Sequence, residues 1–146
     1  MKQQKHFLLM SVLFTITVFN GFMTCGQSAN MGIRFFQGSW EEAMAKAKAE
    51  KKCIFLDAYA SWCSPCKTMD GEVYTNSKIG NYFNEKFIAV KIDMEKGEGP
   101  ELAKRFPSID GYPSLLFFGS DGHLAKTILG SRPVNEFLQE AKLVAK

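Results

Sequence analysis

Cys63-Ser64-Pro65-Cys66 is the short stretch whose residue types and spacing point most directly at chemistry. Thiols three residues apart share a helix face, with Cα atoms within the span of a disulfide. With a strand-to-helix junction at Cys63, its sulfur lies at the helix N-terminus, where unpaired amides and the helix dipole stabilise a thiolate. A stabilised thiolate is also a better leaving group. Pro65 suits the first helical turn, where its missing N–H would lack an intrahelical partner anyway. Cys66 is one turn further in, more buried, and placed to resolve a mixed disulfide. The competing chemistry for such a pair is half a zinc site. Zinc needs a second pair of ligands, and only Cys25, Cys53 and His123 are available, at irregular spacings. Haem attachment fails because Lys67, not His, follows Cys66. No metal and no cofactor are therefore expected. Cys53 opens the apolar run Cys53-Ile54-Phe55-Leu56 and reads as a buried, inert thiol.

Positioning that dithiol requires a strand before it and a helix after it. Cys53 to Tyr59 has the short apolar character of a buried central strand. A helix is expected from near Cys63 to about Glu72, and another from Ser77 to Asn84. Upstream, Ser39-Trp40-Glu41-Glu42 is a capping box opening a helix with Trp40, Ala43, Met44 and Ala47 on one face. Residues 32–37 read as a short first strand or as an arm packed on the domain. Phe87 to Ile92 is a further strand, and Pro100 sits in the first turn of a short helix reaching Phe106. Ser114–Phe118 and Leu124–Leu129 form a hairpin around Ser120-Asp121-Gly122-His123, before a last amphipathic helix with Val134, Phe137, Leu138, Ala141 and Val144 inward. The order βαβαβαββα is that of an α/β domain, a central mixed sheet flanked by helices.

The chain has 146 residues, 46% hydrophobic and 23% charged, which argues against disorder and repeat arrays. Residues 1–29 read as an export segment. Lys2 and Lys5 form a positive start, Phe7 to Phe19 an apolar run, and small residues follow at 24–29, where a signal peptidase cuts. Thirteen residues make about 20 Å of helix, short of a hydrocarbon core of about 30 Å. A retained anchor is the alternative. A third option is lipidation of Cys25, since Phe22-Met23-Thr24-Cys25 loosely resembles a bacterial lipobox. Residues 30–146 then form one domain of roughly 120 residues, enough for a single core. The net charge of +3 falls to +1 without Lys2 and Lys5, so no nucleic-acid partner is expected.

Phe55-Leu56-Asp57-Ala58-Tyr59-Ala60-Ser61-Trp62-Cys63-Ser64-Pro65-Cys66-Lys67 resembles the thioredoxin signature, and Gly111-Tyr112-Pro113-Ser114 resembles its cis-proline loop. The Asp-x-Tyr-Ala-x-Trp-Cys wording and Leu115-Leu116-Phe117-Phe118 look most like exported thioredoxin-like proteins and the periplasmic C-terminal domain of the membrane disulfide reductase. The resemblance spans roughly residues 40–144 and implies a thioredoxin fold. Ser64 departs from the Gly of cytoplasmic thioredoxins, and Tyr59 from their Trp. Asp57, alone in an apolar run, faces a desolvation cost that raises a carboxyl pKa. The resemblance implies that it takes the proton of Cys66; the alternative is a strand-end Asp facing water. Lys91 aligns with the family's partner lysine, or is a surface lysine. Trp62 borders the substrate groove, or simply packs. X-Pro bonds are cis in only about 5–6% of folded cases, so sequence statistics favour trans Pro113. The resemblance implies cis, with the Tyr112 backbone pairing with an extended substrate.

These readings together describe an exported, monomeric thiol-disulfide oxidoreductase. Cys63 attacks a disulfide in an envelope protein and Cys66 resolves the product. An exported reductant has no NADPH at hand, so a membrane protein carrying electrons outward is the expected donor. The rivals are an oxidase or isomerase of the same fold, a metal- or peptide-binding module, and a non-catalytic chaperone using the groove.

Overall fold

The structure, a computed structural model, describes residues 32–145. The expectations for residues 1–29, including cleavage near 24–29 and an anchor at Cys25, lie outside them. Helix α1 (Trp40–Glu50) leads into strand β1 (Cys53–Tyr59); α2 (Ser64–Thr68) continues as a π-helical turn over Met69–Val73. Next come α3 (Ser77–Lys86), β2 (Phe87–Asp93), α4 (Gly99–Arg105), the strands β3 (Ser114–Phe118) and β4 (Leu124–Leu129), and α5 (Val134–Val144). The sheet order is β2-β1-β3-β4, with β1 parallel to β2 and antiparallel to β3, which is antiparallel to β4. The mixed α/β architecture read from the sequence is the one observed.

Alternation along β1 divides the core. Ile54, Leu56 and Ala58 join Ile88, Val90, Leu116 and Phe118 beneath Trp40, Ala43 and Ala47 of α1 and Leu102 of α4. On the other face Phe55 joins Phe87, Leu115 and Phe117 against Met69, Val73, Ile79, Phe83, Phe137 and Ala141. Burial on both faces explains why β1 reads as one apolar run rather than an alternating one. Asp57 lies two residues from Phe55 and so shares its face. The capping box forms as expected, with Ser39 accepting from the Glu42 N–H and the Glu42 side chain returning to the Ser39 N–H.

Residues 32–37 take the second of their two expected forms, an arm held by one parallel bridge between Phe35 and Ala89, so the observed order begins with α1 and the leading β of the expected order is corrected. Its other backbone donors are taken elsewhere: the Arg34 N–H by the Asn84 side chain and the Ile33 N–H by the Tyr74 carbonyl, which stops a ladder from growing. The helix after Cys63 is not uniform. From Met69 it loosens into the π turn, with the Tyr74 N–H reaching the Met69 carbonyl at 2.8 Å. Cys53 is half-buried rather than buried, because it begins β1 at the end of the sheet.

Candidate active site

Cys63 is the N-cap of α2, and its sulfur accepts from the Cys66 N–H at 3.2 Å. The cysteines form a disulfide with Cα atoms 5.4 Å apart. The loop before them is set by the Cys63 N–H donating to the Ala60 carbonyl at 3.0 Å. Both cysteines are almost inaccessible, 2% and 1% exposed, so the expected contrast between an open Cys63 and a deeper Cys66 is slight in this oxidised form. Their cover is Tyr59 and Tyr112.

Pro113 follows a cis peptide bond from Tyr112. The turn is tied at both ends: the Ser114 hydroxyl donates to the Gly111 carbonyl at 2.7 Å, and the Gly130 N–H donates to the Pro113 carbonyl at 2.8 Å. Trp62 is 65% exposed, the most open large apolar side chain among the described residues. Its ring meets Tyr112 edge-on at 5.9 Å, and its Nε1 donates to Glu95 Oε1 at 2.9 Å. Glu95 itself stands in a turn in which its N–H donates to Asp93 Oδ1 at 3.0 Å. An exposed indole beside the dithiol, fixed from two sides, gives an extended segment an apolar edge to lie against.

Behind the dithiol, Asp57 is fully buried, as the apolar run around it implied. Its register partner on β2 is Lys91, whose Nζ lies 3.4 Å from Asp57 Oδ2 and 4.6 Å from the Tyr59 ring centre. Lys91 also pairs with Asp70 from the π turn, so one ammonium is shared by two carboxylates. Burial pushes the Asp57 pKa up from 3.8 to about 6, against the pull of Lys91. A carboxyl poised there can take and return a proton near neutrality.

The structure therefore brings Cys63, Cys66, Trp62, Tyr112 and Pro113 to one end of the sheet, with Asp57 and Lys91 on the sheet face beneath the π turn. Asp70 and Glu95 escaped the sequence reading. Asp70 had a legible signal, four residues beyond Cys66 and so on the same helical face. Glu95 had none, being one of many surface carboxylates. Among the described residues no three His, Cys, Asp or Glu side chains gather as metal ligands.

The family model described as Thioredoxin-like matches residues 35–120. A thiol:disulfide interchange protein DsbD of Pseudomonas fluorescens is 30% identical over 66% of this chain, which spans only 17% of that relative's length. The solution structure of a disulphide-isomerase candidate from Bacteroides thetaiotaomicron is 39% identical, with a TM-score of 0.69 over 79% of this chain and 94% of that one. The reduced DsbD C-terminal domain of Neisseria meningitidis is 26% identical, with a TM-score of 0.60 over 71% and 92%.

Proposed function

The chain belongs to the thioredoxin-like family, and on that premise we propose that it is a thiol-disulfide oxidoreductase working as a reductant of disulfides in envelope proteins. The observation that carries this reading is the Cys63–Cys66 disulfide at the start of α2, with the Tyr112–Pro113 turn against it and a buried carboxyl beneath.

In the dithiol form, the Cys63 thiolate attacks one sulfur of the partner's disulfide. The partner's other sulfur leaves as a thiolate and takes a proton from solvent. Asp57 accepts the proton of Cys66, and the new thiolate attacks Cys63 Sγ, expelling the partner's second sulfur. The partner gains two electrons and the enzyme ends as the Cys63–Cys66 disulfide. Trp62 and the Tyr112 backbone hold the extended segment around the attacked sulfur, and Lys91 keeps the Asp57 carboxylate from being wholly uncompensated in the core.

Each further cycle needs a dithiol donor. If residues 1–29 direct export, that donor is a membrane protein delivering electrons outward. This reading draws on the leader pattern and on the likeness to DsbD proteins. No helix among the described residues is long and apolar enough to cross a membrane. Cys25 supplies a lipid anchor if it is the first residue after cleavage.

Disulfide reduction driven by a small dithiol tests the reading. Wild type turns over, Cys63→Ser is inactive, and Cys66→Ser accumulates a Cys63-linked partner. Reduction no faster in wild type than in Cys63→Ser, with both protecting an unfolded substrate from aggregation, would leave a groove-binding chaperone as the better account. The 39% identical isomerase candidate favours one second reading, rearrangement of wrong disulfides. That reading requires the protein to recover a scrambled multi-disulfide substrate without net reduction.

A further inference from the structure

Tyr74 closes the π turn and is 4% exposed. Its ring is held among Phe35, Phe137 and Phe55, with ring centres at 5.3, 5.8 and 6.1 Å. In that setting a phenylalanine would fill the same space without burying a hydroxyl. The hydroxyl is buried with no partner at full hydrogen-bond geometry, and so are both oxygens of Asp57. Buried polar groups left unpaired are rare and costly, and orphans that neighbour one another are natural partners. The two groups act on each other: the phenol draws the Asp57 pKa down, while burial first and Asp57 next push the phenol well above its usual range. The other charged groups facing Asp57 are Lys91 from β2 and Asp70 from the π turn; β3 presents Leu115 opposite.

The π turn is what brings the phenol there. A regular helix pairs the N–H of Tyr74 with Asp70, whereas here it pairs with Met69, one residue further back. Each residue turns a helix by about 100°, so the extra residue swings Tyr74 onto the face that carries Asp57.

Resting on the reductase reading, we propose that Tyr74 is a positioning residue for the proton step: its phenol donates to one oxygen of the charged Asp57 carboxylate and leaves the carboxylate oriented to receive the proton of Cys66. A phenol held above its usual range keeps its own proton throughout, so it acts only as a donor. The proton released by Cys66 ends on Asp57, and the negative charge that Cys66 gains leaves on the partner sulfur it expels.

The test is Tyr74→Phe, read by carbon NMR titration of the Asp57 carboxyl and by the rate at which a Cys63-linked partner is released. Loss of the phenol moves the Asp57 midpoint upward by roughly half to one pH unit. Release at pH 6 slows roughly two- to fivefold and recovers at higher pH, with KM for the disulfide unchanged. An unchanged midpoint and pH profile in a folded Tyr74→Phe protein overturns the proposal while leaving the reductase reading intact. Absence of turnover in wild type sinks both. Should the variant fail to fold, the wild-type Tyr74 ring carbon bearing the hydroxyl must shift with the same midpoint as Asp57. A ring signal that ignores that titration overturns the proposal.

Discussion

Asp57 is charged at neutral pH in a place with no water to solvate it, which makes it the residue where function and stability pull apart. Its pKa is 3.8 in an open chain and about 6 in the fold. The native state therefore binds the proton more tightly than the unfolded state. The Asp57 contribution to stability is most favourable below about pH 4, falls between about pH 4 and 6, and carries the full penalty above that. At about 1.4 kcal/mol per unit the penalty is ~3 kcal/mol. Asp57→Asn should be more stable than wild type by up to ~3 kcal/mol at pH 7, with a flatter denaturation profile between pH 4 and 6, while turning over disulfides more slowly. Equal stability at pH 7, measured by urea denaturation, would show that the carboxyl is not desolvated in the fold. At this scale much was legible. A single Asp in Ile54-Phe55-Leu56-Asp57-Ala58 pointed to the core ahead of a water-facing strand end, and two cysteines at i and i+3 carry their chemistry in their spacing. Tyr74 was hidden because Met69-Asp70-Gly71-Glu72-Val73-Tyr74 mixes polar and apolar residues without a period that says which face is inward.

At the scale of elements, two tight loops meet around a five-residue helix. The loop after β2 has a definite task, since the turn at Asp93 and Glu95 latches the indole of Trp62 to the rim of the dithiol. The exposed bond is worth less than a buried one, so Glu95→Ala should raise KM for a disulfide peptide roughly two- to fivefold with kcat little changed. Glu95→Gln, which keeps an acceptor, should restore most of the loss. An unchanged KM in the alanine variant would mean that Tyr112 alone orients the indole. Local rules made α1 readable, because a capping box and an apolar stripe lie within a few residues of one another. The arm at residues 32–37 was harder. Whether Phe35 and its neighbours continue a ladder depends on Asn84 and the Tyr74 carbonyl, which lie roughly 40–50 positions away and compete for the same N–H groups. The cis bond at Pro113 was legible only through likeness to a family, since statistics for X-Pro bonds favour trans.

Taken whole, the described residues form a four-stranded sheet covered on both faces, with the cysteine pair at one end and one buried carboxyl, Asp57, on the central strand beside Lys91. Nothing in that plan by itself sets the direction of electron flow, because reductants and oxidants share it. The proposed direction, that of a reductant, draws on the likeness to DsbD proteins, and the potential of the couple decides it. The most direct test is the equilibrium of the Cys63–Cys66 couple, titrated across defined thiol/disulfide buffers in the intact domain. Dithiol couples of this kind range from about −270 mV for a thioredoxin to about −120 mV for a strong oxidant. A reversible two-electron couple nearer the reducing end is the predicted result, and a couple near the oxidising end, or none that reverses, would contradict it.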